Sequence, residues 1–353
     1  MRLERRRVSV RTARAQDARR RWPTRESLLI RLTDTNGYEG IGEASPLPGY
    51  SQDELEDVEP ALATLALADV EAALAMPTVR TALEAVASLL PARLPSARMA
   101  LETAALDLLG QRQQLSAPLL LGAAPTARRS LAQLLGPASS PTLLPDAERA
   151  RRAGFTHLKL KLGAPGQLER ELAGVQALRQ RYGKDVALRL DANGALSASE
   201  IEQAWPCLLA LDIELFEEPG RLPESLLGAL PLGLDESLQG LDEAAAVALL
   251  GQRQARYVVL KPTALGGLTH CWRLAEHAIL LGARPVLSHA FDGPYAWRAT
   301  AALALALPVG SAHGLAAHAG LEGWRLRPLP GHQACLEVWP EPGLGAPAEP
   351  GFS

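Results

Sequence analysis

From about residue 129 onward the chain repeats one pattern: a short apolar run ending on a polar or charged residue, then a longer stretch with helical spacing. The runs fall at 131–135, 157–161, 187–191, 213–217, 232–235, 257–261 and 285–288. Between the charged ends the steps are 30 residues from Lys161 to Asp191, 26 to Glu217, 18 to Asp235 and 26 to Lys261. Steps of this size fit one strand and its crossover, and strands alternating with helices imply a parallel sheet. Seven or eight such units favour closure into a barrel, in which groups at the C-terminal ends of the strands gather on one face. An open doubly wound sheet is the competing arrangement, but no G-x-G-x-x-G follows the first strand. The expected fold class is therefore α/β, a (β/α)7-8 TIM-like barrel.

The first part of the chain reads differently. Residues 28–32 and 40–44 alternate like strands around Thr35-Asn36-Gly37, and Asn-Gly suits the positive φ of a hairpin turn. The rigid, turn-rich stretch 45–51 follows. Helical periodicity broken by prolines then runs from Gln52 to about Leu109, with a helix expected over 98–111 and Ser96 as its N-cap. These elements predict an α+β capping domain over residues 1–112, a barrel over 113–322, and a tail over 323–353 that crosses back to the N-terminal sheet. Ten of the first 25 residues are arginine, against Glu4 and Asp17 as the only acids. They read as a strand and an exposed loop, or as a cationic loop over 13–24 that closes on an anionic substrate.

Composition removes several function classes. The net charge is −3 and aromatic residues are 4% of the chain, so neither a cationic field nor a stacking surface favours nucleic acid. The longest apolar run, 301–308, is too short to span a bilayer, and no membrane partner is expected. The opening MRLERRR leads into no apolar segment and is not read as a secretory signal. Cys207, Cys271 and Cys335 are odd in number and lack metal-type spacing, which fits reduced thiols in the cytoplasm.

Chemistry concentrates at the strand ends. Lys159 and Lys161 alternate within Thr156-His157-Leu158-Lys159-Leu160-Lys161, so both leave the same face of a strand. Like charges depress each other's pKa, and such a pair suits a site that needs a neutral amine near pH 7. Asp191, Glu217 and Asp235 end successive strands. One such acid alone reads as a helix cap or surface residue. Three together, without His or Cys, suit a hard cation bound through oxygen: Mg2+, with Mn2+ as a substitute. Strand parity does not separate Glu217 from Glu218, or Asp235 from Glu236. Lys261 ends the next strand and places an ammonium group on the opposite flank. Lysines around a metal suit proton abstraction next to a carboxylate, so a small anionic carboxylate is the expected substrate.

These residues carry a resemblance. With K-x-K at Lys159 and Lys161, D-x-N at Asp191 and Asn193, E-E-P from Glu217, D-E-S from Asp235 and L-K-P around Lys261, the chain resembles the enolase superfamily in its muconate-lactonizing branch. Within it, Gly42-Glu43-Ala44-Ser45-Pro46-Leu47-Pro48-Gly49-Tyr50-Ser51, L-R-L-D-A-N and G-L-D-E-S-L are similar to the o-succinylbenzoate synthases of menaquinone biosynthesis. The resemblance implies Lys161 as the acid/base, Lys159 as its partner, Lys261 stabilising an enediolate, and Asp191, Glu217 and Asp235 as Mg2+ ligands. It implies Tyr50, Ser51 and Ser288 as substrate contacts, loops around 19–24 and 48–51 covering the substrate, and syn dehydration of 2-succinyl-6-hydroxy-2,4-cyclohexadiene-1-carboxylate. Racemases of N-acylamino acids, dipeptide epimerases and muconate cycloisomerases use the same frame. A barrel kept only for binding is the remote alternative. The stretch Ser288-His289-Ala290-Phe291-Asp292-Gly293-Pro294 departs from the serine-rich segment of many relatives. His289 is expected to be structural, His157 to lie deep in the barrel, and Arg189 to point inward and hold the acids.

Overall fold

The computed structural model describes residues 1–12, 15, 20–308, 310–317, 320–324 and 333–345. Three antiparallel strands, β1 (Arg2–Arg11), β2 (Thr24–Thr33) and β3 (Glu39–Ala44), open the chain. At the β2–β3 turn Gly37 takes φ +83°. Asp34 Oδ1 accepts the amides of Asn36 (2.8 Å) and Tyr38 (2.9 Å) and so closes the turn. Four helices follow: α1 (Leu55–Ala63), α2 (Leu67–Leu74), α3 (Val79–Ser88) and α4 (Pro95–Gln113). Ser96 is not the N-cap of α4. It lies inside the first turn, and its amide and hydroxyl both donate to Asp53 Oδ2, at 2.9 and 2.6 Å. The sheet lies directly against α4. Gly40 and Gly42 permit this, because a Cβ on either would overlap the helix backbone at Ala104 or Ala100.

After the short α5 (Ala117–Leu120) and β4 (Arg128–Ser130), seven parallel strands follow in chain order. They are β5 (Ala132–Pro137), β6 (His157–Lys161), β7 (Ala187–Asp191), β8 (Leu215–Glu217), β9 (Leu232–Leu234), β10 (Tyr257–Leu260) and β11 (Arg284–Leu287). The connections carry α6 (Leu143–Arg152), α7 (Leu168–Tyr182), α8 (Ala198–Ala210), α9 (Glu243–Gln252), α10 (Pro262–Leu265), α11 (Leu268–Leu280) and, after β11, α12 (Pro294–Ala306). One unit is incomplete: β8 and β9 are joined by a 3-10 turn, Glu224–Leu226. The 18-residue step seen in the sequence is too short for a full βα unit.

The sheet closes at an eighth position. His313 bridges to Leu131 beside β5, and Gly314 bridges to Ser288 at the end of β11. The barrel expected from the strand period is thus built of seven strands and a two-residue closure.

The apolar run expected to be too short for a membrane belongs to α12, whose residues from Pro294 to Leu305 are all buried. No helix among the described residues is long and apolar enough to cross a membrane. Among the described residues the tail does not add to the three-stranded sheet. Its strand, β12 (Cys335–Glu337), pairs with β4. Farther on, Leu344 N donates to Asp107 Oδ1 of α4 at 2.8 Å.

Candidate active site

Strand register brings the charged residues together. Lys161 on β6 pairs with Asp191 on β7, and Asp191 pairs with Glu217 on β8. Asp235 and Lys261 each follow the last residue of their strand, β9 and β10. All five meet at the C-terminal mouth of the barrel, beneath the loop 45–51 of the N-terminal unit.

Lys159 Nζ lies 2.7 Å from both Glu217 carboxylate oxygens and 2.8 Å from Asp191 Oδ2. Lys161 Nζ donates to Asp191 Oδ2 (2.6 Å) and to Asn193 Oδ1 (2.8 Å). Lys261 Nζ pairs with Asp235, donates to the Tyr50 hydroxyl at 2.8 Å, and lies 4.9 Å from the centre of the Tyr50 ring. Tyr50 in turn donates to Asp235 Oδ1 at 3.3 Å. The N-terminal unit thus puts one side chain directly on the barrel's charged cluster.

The two unresolved pairs separate by backbone geometry. Glu217 faces inward to Lys159, whereas Glu218 takes φ +39° and turns to the next loop. There it accepts the amides of Asp235 (2.7 Å) and Ser237 (2.9 Å) and the Ser237 hydroxyl. Glu218 therefore shapes the D-E-S turn. Asp235 faces Lys261, while Glu236 Oε1 accepts Asn193 Nδ2 at 2.7 Å and its Oε2 is buried without a protein partner.

A net depression of the pKa does not describe Lys159. Burial alone disfavours the Lys159 ammonium, but Asp191 and Glu217 outweigh it and its pKa rises. Lys261 is raised in the same way, with Asp235 overcoming burial. Among the acids, Asp191 is held far below the usual range, because two lysines outweigh its burial. Burial and a neighbouring carboxylate push Glu217 and Asp235 up. Counting the partly buried Glu236, four carboxylates face three lysines here, an excess that a bound divalent cation would relieve. As the side chains stand, no group of three His, Cys, Asp or Glu among the described residues is gathered closely enough to hold a metal. The lysines lie between the acids. The donor set, three acids at the ends of adjacent strands with oxygen ligands only, nevertheless fits a hard cation.

The pocket above the cluster is lined by Lys159, Lys161 and Lys261 and by apolar groups that include Trp22, Leu47 and Phe291, which belong to one small apolar cluster. Of the three expected substrate contacts, Tyr50 and Ser288 line the pocket and Ser51 does not. The Ser51 hydroxyl accepts Leu47 N at 2.9 Å and so shapes the loop. His289 lines the pocket, and its Nδ1 accepts Phe291 N at 3.0 Å. The expected loop 13–24 falls partly on residues 13, 14 and 16–19, which lie outside the described residues; so does Arg19 of the loop expected to cover the substrate.

Arg189 points inward but lies one layer too deep to hold the metal-site acids. It donates instead to Glu214 (2.7 Å), Ala312 O (2.7 Å) and Ser311 (2.8 Å). His157 shares that lower layer, with Nε2 3.5 Å from Glu214. Two site residues were missed as separate contributors. Asn193 was visible in the D-x-N motif, whereas Trp22 had no local signal beyond its aromatic ring.

Comparison with known proteins agrees with this architecture. Residues 143–350 match the enolase C-terminal domain-like family, and residues 3–122 match the mandelate racemase / muconate lactonizing enzyme N-terminal domain family. The chain belongs to the enolase superfamily. It is 29% identical to an o-succinylbenzoate synthase of Desulfotalea psychrophila over 281 residues, covering 71% of this chain and 75% of that protein. It is 30% identical to the L-Ala-D/L-Glu epimerase of Bacillus subtilis, with 70% and 68% covered. Its fold matches a dipeptide epimerase from Methylococcus capsulatus, solved with Mg and the dipeptide L-Arg-D-Lys. That match has a TM-score of 0.80 and 23% identity, and covers 97% of this chain and 98% of that one.

Proposed function

We propose that this chain is a cytoplasmic o-succinylbenzoate synthase that dehydrates 2-succinyl-6-hydroxy-2,4-cyclohexadiene-1-carboxylate. The observation that carries the reading is the make-up of the pocket. Its only described lining acids, Asp191 and Glu236, are held within the Lys161–Asn193 cluster, and Trp22, Leu47, Ala290 and Phe291 line it as one apolar cluster. Such a pocket suits a carboxylate on a hydrocarbon ring, and its apolar cluster offers no acid to meet a substrate ammonium group.

In this reading Mg2+, held by Asp191, Glu217 and Asp235, supplies positive charge for the substrate carboxylate. Lys161 takes the proton from the carbon next to that carboxylate. Lys159 and Asn193 hold the charge and position of the Lys161 environment. Lys261, fixed by Tyr50, faces the negative charge that builds on the substrate. The Lys161 ammonium then gives its proton to the departing hydroxyl on the same face. One C–H and one C–O bond break, a ring double bond forms, and water and an aromatic acid leave.

The test is the ultraviolet absorbance of the diene with and without Mg2+. Fast Mg2+-dependent loss of diene, with o-succinylbenzoate as product, is the expected result. No dehydration would overturn the reading. The second reading is an epimerase or racemase, favoured by Lys161 of β6 and Lys261 after β10 lining one pocket and by the epimerase likeness. It requires α-proton exchange from dipeptides or N-acylamino acids in deuterated water.

A further inference from the structure

Arg25 lies near the end of the arginine-rich segment, at the start of β2, and is fully buried. Its partners are unusual for a buried guanidinium, since most are main-chain carbonyls of two different loops. Nη1 donates to Pro46 O at 2.8 Å. Nη2 donates to Ser45 O at 2.9 Å and to the Ser45 hydroxyl at 3.1 Å. Nε donates to Phe291 O at 3.3 Å. The first loop brings Leu47 and Tyr50 into the pocket, and the second brings His289, Ala290 and Phe291. Asp292 and Glu43 are the acids whose charge bears on Arg25.

Above this joint the two loops meet in a small apolar cluster separate from the main core. It holds Ala15, Trp22, Leu47 and Ala290, with Tyr50 and Phe291 against them. Trp22 donates to Pro48 O at 2.9 Å, and its ring lies 5.8 Å from that of Phe291. A cluster this small has little apolar area of its own to hold the loops together. A planar fork with five donors can bind carbonyls in two directions at once.

We propose that Arg25 is a positioning residue: its guanidinium ties the loop 45–51 of the N-terminal unit to the barrel loop 288–292 and so fixes the two walls that enclose the substrate. It does not touch the reacting atoms. Its influence on substrate binding runs through Leu47 and Phe291, which line the pocket. The inference rests on the pocket being the active site, and its test is arranged so that the two can fail separately.

The test compares the full-length Arg25→Met variant with wild type. Hydrogen exchange followed by mass spectrometry needs no substrate. Peptides across 45–51 and 288–292 are expected to exchange about tenfold faster or more, with peptides of β6, β7 and β10 unchanged. On whichever substrate wild type turns over, KM is expected to rise about tenfold or more while kcat stays within about threefold. Unchanged loop exchange overturns the proposal. So does a uniform rise across the barrel, or loosened loops with an unaltered KM; these mark a residue that only supports the fold. If wild type turns over nothing, the activity reading falls, and the exchange result still decides whether Arg25 holds the two loops. If Arg25→Met does not fold, Arg25→Lys carries the same test, because an ammonium group lacks the fork's reach. If that also fails, Ser45→Ala removes one of the four bonds and is expected to loosen the same two loops to a smaller degree. Failure of all three to fold marks Arg25 as structural and overturns the proposal.

Discussion

At the residue scale the barrel mouth presents more carboxylates than cations. Lys161 bonds Asp191 and Asn193 at the pocket floor, where its amine is open to a substrate. Lys161→Ala is expected to lower kcat by about 10³-fold or more, since a positioned acid/base contributes roughly 10²–10⁴ and here serves both steps. The check is a rate measurement beside circular dichroism and a melting midpoint that stay near wild type. Asp235→Asn leaves the shape of the side chain and removes its charge. It is expected to raise the Mg2+ concentration for half-maximal activity by about tenfold or more, and an unaltered metal titration contradicts that role. The sequence exposed these residues because strand alternation and strand-end position are local properties. It hid the choice between Glu217 and Glu218, because the left-handed backbone at Glu218 depends on a loop from the next strand. It also misplaced Arg189: alternation gives the face of a strand but not which layer of the barrel a long side chain reaches.

At the scale of elements, two barrel helices are capped by acids from the N-terminal unit. Glu102 of α4 accepts Leu268 N (2.7 Å), Thr269 N (3.0 Å) and the Thr269 hydroxyl at the start of α11. Glu43 of β3 accepts Tyr295 N at 3.0 Å at the start of α12. Gly267 and Gly293 make room, since a Cβ on either would overlap the capping carboxylate. The local sequence of α11 and α12 carries no sign of these caps, because each cap lies more than 160 residues away. Asp53 likewise lies outside the local sequence of α4, 43 residues away, and holds its start in place of the expected Ser96. Burial pushes both Glu43 and Glu102 up to about 7. A carboxylate raised in the folded state stabilises most below its unfolded pKa, and that stability is lost as pH rises from about 4.5 through 7. Each shift corresponds to on the order of 3 kcal/mol. Glu102→Gln, which cannot ionise, is therefore expected to gain stability relative to wild type between pH 5 and pH 8. Urea unfolding at both pH values checks the sign; a variant-minus-wild-type stability that falls or stays constant from pH 5 to pH 8 contradicts it.

At the scale of the whole molecule, the N-terminal unit and the barrel share polar contacts, some of them buried. Besides the two caps, Arg80 of α3 forms a bidentate pair with Glu276 of α11, at 2.6 and 2.8 Å, and Arg25 reaches the loop after β11. Neither part can open without exposing groups that the other satisfies, so the chain is expected to unfold in one transition. Coincident midpoints by fluorescence and far-ultraviolet circular dichroism check this, and two separated midpoints contradict it. The strand period made the barrel legible. The closure was not legible, because a two-residue bridge has no period. That closure has a consequence for synthesis. The bridging pair, His313 and Gly314, comes 181 residues or more after β5 begins at Ala132. A ribosome therefore delivers the entire sheet before delivering the piece that joins its ends. Until that pair emerges, β5 and β11 each offer a row of unpaired backbone groups to any neighbouring nascent chain, and the growing polypeptide passes through its most association-prone form just before the ring is completed.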